Sequence, residues 1–163
     1  MGRRKDGWLH MYNREELLNI RKSFRLLGPE GMSIEILEAH AAEFSEKFGV
    51  ALAWETDQID NDGAMQDCLV LFNPDHKDDY YKIVVDFEVP GMLAALSASV
   101  TGESANGINR AGAVALMQGG KMALANLAGG ATETGAPEDC AAEKDYYAAM
   151  YDIVNALIGA GEV

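Results

Sequence analysis

Cysteine is nearly absent from this chain: Cys68 and Cys140 are the only two in 163 residues, and no C-x-x-C spacing joins them. That excludes a zinc knuckle, a redox dithiol and a disulfide framework. Cys68 sits in an apolar run and reads as a small buried hydrophobe. Cys140 falls near a helix start, where a thiol pKa can drop. Histidine is as scarce. His10, His40 and His76 are far apart in sequence, and none has a second histidine at ligand spacing. We expect no metal and no cofactor. The chain also lacks a long hydrophobic run, which disfavours a membrane span. No apolar core follows the basic start, so the reading carries no secretory signal and places the protein in the cytoplasm.

Positive charge is the next shortage. Lys and Arg number 13 against 26 Asp and Glu, a formal net charge of −13. General nucleic-acid binding is excluded on that balance, because phosphate contacts need clustered cations. The few cations are unevenly spread. Residues 1–25 hold Arg3, Arg4, Lys5, Arg14, Arg21, Lys22 and Arg25 against Asp6, Glu15 and Glu16, a local net charge of +4. The rest of the chain therefore carries −17 of the total. A basic N-terminal segment must either fold back on the acidic body or meet an anionic partner elsewhere.

What is present suffices for one folded domain. Apolar residues make up 48% and charged residues 24%, a globular balance at a length that needs no metal or disulfide staple. Residues 1–12 read as a flexible basic arm and residues 13–163 as a single α+β domain. Asn13 followed by Glu16 suggests a capping box opening a helix that runs to about Leu27, with Leu17, Ile20, Phe24 and Leu27 as its apolar stripe. A second helix should start at Ser33 and stop at Gly49. The period then changes to two. Strands are expected over 50–55, 68–72 and 81–89, with a polar turn over 57–64. Residues 93–101 balance helix propensity against alternation, and the alternation favours a fourth strand. A helix over 109–127 and a last one from Pro137 to about Ile158 complete the chain. The implied fold is a four-stranded antiparallel meander with two N-terminal and two C-terminal helices, mainly on one face.

No motif supplies a catalytic set. Asp57–Gly63 resembles a calcium loop, but the position that needs a bidentate Glu holds Leu69, so a solvated turn is the better reading. Asp75, His76, Asp78 and Asp79 form an acidic loop with one imidazole, which a polar strand connection explains. There is no G-x-S-x-G elbow, and both Gly102–Gly107 and Gly120-Lys121 fail the phosphate-loop pattern. We therefore name no catalytic and no metal residue.

Three weaker constellations remain. Ser104, Asn106, Asn109 and Arg110 lie where a glycine-rich loop enters a helix, a place where free N–H groups can hold an anion. Ala111, Ala115, Gly119 and Ala123 recur every four residues and offer a ridge of small side chains for close packing or self-association. Arg14, Arg21 and Arg25 share one stripe of the expected first helix and could meet an acidic protein surface. The reading favours a non-enzymatic interaction or regulatory module that self-associates or binds a protein partner. Its alternatives are a small-ligand or anion-binding domain at residues 102–110, and peripheral membrane association through the basic helix.

Overall fold

A computed structural model describes residues 11–126 and 133–163. The expectation of a flexible arm over 1–12 falls, up to residue 10, outside the described residues. The class is α+β, but the expected architecture needs correcting. The sheet has six strands, not four, and is mixed: its order is β1-β3-β4-β5-β6-β2, with β1 and β3 parallel and all other neighbours antiparallel. One helix, not two, precedes the β-hairpins. In chain order the elements are β1 (Met11–Asn13), β2 (Leu18–Leu26), α1 (Ile34–Phe48), β3 (Ala53–Asn61), β4 (Ala64–Phe72), β5 (Lys82–Glu88), β6 (Leu93–Thr101), α2 (Arg110–Gly119), α3 (Lys121–Asn126) and α4 (Pro137–Gly159).

The largest correction is the expected helix over 13–27. Asn13 makes no side-chain cap; Arg14–Glu16 is a single 3-10 turn, and Leu18–Leu26 is a strand paired with β6. Leu18, Ile20, Phe24 and Leu26 fit a period of two as well as the helical stripe did. A bulge between Asn19 and Arg21 then changes which face each side chain takes. Ile20, before the change, is buried against the helices, whereas Phe24 and Leu26, after it, lie on the opposite face. The expected turn over 57–64 is also shorter: β3 and β4 continue to Asn61 and Ala64, leaving Asp62-Gly63 as a two-residue loop with both residues at positive φ.

The remaining elements follow local chemistry. Ser33 accepts from the Ile36 amide at 3.2 Å to start α1, and Gly49 at φ 64° ends it. Pro137 with Glu138 and Asp139 opens α4, whose first turn needs no proline N–H and favours acids. The helix expected over 109–127 breaks in two, because Gly120 turns left-handed at φ 64° against the Tyr151 ring. The helices share one core with one face of the sheet, where Leu69, Leu71, Ile83, Val85, Leu96, Ala98 and Val100 alternate inward.

The other face is concave. From Asn13 to Leu18 the chain spans at most about 18 Å, yet β1 and β2 occupy opposite ends of the sheet order. Laid flat, five strand spacings would separate them by about 24 Å. The sheet must therefore curl so that segment 14–17 can cross it. Under that crossing lies a second small core of Ile59, Cys68, Val70 and Val84, with Tyr12, Leu17 and Phe72 packed on it.

Candidate functional site

The crossing segment covers the β3–β4–β5 half of the concave face and leaves the β6–β2 half open. Its anchor is Arg14. The guanidinium donates Nη1 to Asp86 Oδ1 at 3.1 Å and Nη2 to Asp86 Oδ2, a two-pronged pair with a carboxylate that is almost wholly buried. That hydrogen bond pushes the Arg14 pKa further up. Asp86 belongs to a row of registered partners, Asp57–Cys68–Asp86–Ser97–Lys22, that runs from strand to strand over the concave face. Burial and the neighbouring acids push the Cys68 thiol far up, which makes it an inert packing group.

Beyond Arg14 the face opens into a polar pocket of about 280 Å³ that includes Asn19, Lys22, Asn61, Glu88 and Ser97 in its lining. Glu88 accepts from Asn61 Nδ2 at 3.1 Å and Gln66 Nε2 at 3.2 Å. Lys22 is exposed and forms no ion pair among the described residues. Beside this pocket the surface turns apolar. Phe24 lies opposite Ala95 and Leu26 opposite Leu93 on the same face, and Phe24 and Leu26 remain 46% and 62% exposed. The Val163 amide donates to Phe24 O at 3.0 Å, which sets an apolar side chain, 69% exposed, next to this strip. The exposed apolar strip thus adjoins a pocket that holds both a cation and a carboxylate. The Ser97 hydroxyl has no histidine among the residues that line that pocket. Among the described residues His40 and His76 contact Glu43 and Asp79, and neither is hydrogen-bonded to a Ser or Cys.

The sequence-derived candidates fall elsewhere. Ser104 and Asn106 both turn inward and donate to Glu143 Oε1, at 2.9 and 2.8 Å. Asn109 caps α2 by accepting from the Gly112 amide at 2.7 Å, and Arg110 donates to Glu16 O at 2.9 Å. All four thus hold the loop in place. Ala111 is exposed, while Ala115, Gly119 and Ala123 are half-buried, and the break at Gly120 sets Ala123 on a different helix from the other three. Arg14, Arg21 and Arg25 do not form a helical stripe. Arg21 pairs with Glu162 at 2.8 Å and also donates to Asn155, and Arg25 donates to Ala160 O at 2.7 Å. Of the described cations in the basic segment, Arg14 and Arg21 pair with acids of the body, and the cationic helix on which a membrane-surface reading rested is a strand. No helix among the described residues is long and apolar enough to cross a membrane.

Two features had no counterpart in the sequence reading. One is the buried Glu143, which takes a third hydrogen bond from the Tyr147 hydroxyl; that hydroxyl accepts from the Tyr81 amide at 2.9 Å. The i, i+4 spacing of Glu143 and Tyr147 was available as a signal, but their partners in the 104–106 loop were not. The other is the exposed strip of Phe24 and Leu26, which depends on the bulge. The chain matches no protein-family model, and no curated protein or solved structure gives a match.

Proposed function

We propose that this protein is a non-enzymatic interaction module that pairs with a second copy of itself through the open half of its concave sheet face. The observation that carries the reading is the exposed pair Phe24 and Leu26, with the half-buried Leu93 opposite Leu26, on a β-sheet edge strand. Single exposed apolar residues are ordinary, but a contiguous strip on one face is the signature of an interface. Burying the part of Phe24 and Leu26 still exposed would contribute about 1–2 kcal/mol each.

A second copy is favoured as occupant by charge. A two-fold interface must be self-complementary. Here Lys22 precedes Phe24 on β2 and Glu88 lies across Ala95 from Phe24, so charges of both signs flank the same end of the strip. A two-fold axis at that end would let each lysine face the other copy's glutamate. The experiment is symmetric cross-linking. Phe24→Cys under mild oxidation should give a disulfide-linked dimer, while Met122→Cys, at an 81% exposed site on another element, should stay monomeric. Equal cross-linking of the two variants would count against the reading.

A further inference from the structure

Of the three arginines on and before β2, Arg25 is the most buried, at 7% exposure, and the only one that forms no ion pair among the described residues. Arg14 has Asp86 and Arg21 has Glu162. Arg25 has only the Ala160 carbonyl at 2.7 Å and the Met32 sulfur at 3.5 Å. Burial lowers its pKa, opposed chiefly by the nearby charge of Glu30. A buried charge without a counter-charge is strongly disfavoured, and folded proteins normally pair it or use it.

Arg25 also lines a pocket of about 240 Å³ formed by the end of β2, the turn at Gly28–Gly31, the first turns of α1 and the chain after α4. Its apolar walls include Ile36 and Ala160, and its charged or titratable neighbours are Glu30 and His40. We propose that this pocket binds a short-chain monocarboxylate, with the carboxylate on the Arg25 guanidinium and the alkyl tail on Ile36 and Ala160. The site lies off the concave face and does not depend on the dimer.

Three considerations set the ligand class. The planar guanidinium fork matches a carboxylate in two-pronged geometry. A single arginine next to Glu30, on a chain of net charge −13, tolerates one negative charge better than two, which selects against phosphate. The apolar walls favour a ligand with a hydrocarbon tail over formate or chloride. Glu30 is exposed and unpaired with Arg25, so it competes electrostatically with an incoming carboxylate.

The test is an NMR titration of the full chain with butyrate, read at the Arg25 Nε–Hε resonance and the Gly31 amide. Butanamide, of the same shape without the charge, and inorganic phosphate serve as comparison probes at matched ionic strength. Butyrate should give saturable shifts at both positions with a dissociation constant on the order of millimolar, while butanamide and phosphate should give none. Arg25→Gln should abolish the shift at Gly31, and Glu30→Gln should tighten butyrate binding by about threefold or more. The proposal is overturned by no saturable response to butyrate, by an equal response to butanamide, by a response to phosphate alone, or by unchanged or weaker binding in Glu30→Gln. The Glu30→Gln arm stands even where Arg25→Gln fails to fold.

Discussion

Asn106 is tied to Glu143: its side-chain amide donates to the buried carboxylate at 2.8 Å, joining the loop after β6 to the second turn of α4. Ser104 and Tyr147 donate to the same group, so one buried acid satisfies three donors. Glu143→Ala would leave those donors without an acceptor in the interior. It should destabilise the fold by about 3–5 kcal/mol, and Ser104→Ala by about 1–2 kcal/mol. Urea unfolding of each variant checks this. A loss below about 1 kcal/mol for Glu143→Ala would mean that the network is not what fixes the loop.

The alkaline limb of stability follows from the buried phenols and thiol. Burial raises Tyr146 and Cys68, and burial followed by the Glu143 hydrogen bond raises Tyr147, all far above their ordinary values of 10.0 and 9.0. Above those values the unfolded chain releases protons that the folded chain keeps. Stability is therefore fully present below about pH 9 and falls as pH rises, by about 1.4 kcal/mol per pH unit for each group. Unfolding free energies at pH 8, 9, 10 and 11 should decline with increasing slope. Tyr147→Phe should flatten that slope, although it is less stable at neutral pH.

The break between α2 and α3 rests on Gly120. A Cβ added there would lie 2.8 Å from Tyr151 Cδ2, on a backbone at φ 64°. Gly120→Ala should cost about 1–3 kcal/mol, a drop of several degrees in Tm. Gly28→Ala meets only ordinary contacts, the nearest at 3.6 Å, and should change stability by less than about 0.5 kcal/mol. Thermal unfolding followed by circular dichroism separates the two.

The parts of the fold that were legible in the sequence are those governed by local chemistry. Ser33 and Gly49 bound α1 because a cap and a left-handed stop act within a few residues. Pro137 marks the start of α4 for the same reason. The alternation over 93–101 outweighed its Ala-rich helix propensity, and that segment is β6. Residues 13–27 were misread because Ile20 and Phe24 fit both periods, Leu17 and Leu27 completing a helical stripe and Leu18 and Leu26 an alternation, and no local signal marks the bulge after Asn19. Met11–Asn13 is too short to announce a strand, and its parallel pairing with Gln58–Asp60 depends on the curl of the whole sheet. The charge split was visible, and so was the need for an acidic target. That the targets are Asp86 and Glu162 is a property of the folded chain. The exposed apolar strip was hidden for the same reason as β2.

The central claim is that two copies meet through Phe24 and Leu26, and its most direct test is solution mass by light scattering as salt is varied. At roughly 35 Å separation, two bodies of charge −13 repel by about 6 kcal/mol at 0.01 M salt and well under about 1 kcal/mol at 0.15 M. Surface Lys22–Glu88 pairs, at about 0–1 kcal/mol each, cannot reverse that trend. The account predicts a monomer at low salt, a dimer growing in above about 0.15 M, and loss of the dimer in Phe24→Asp. A wild-type chain that stays monomeric at all salts, or a dimer that persists in Phe24→Asp, would contradict it.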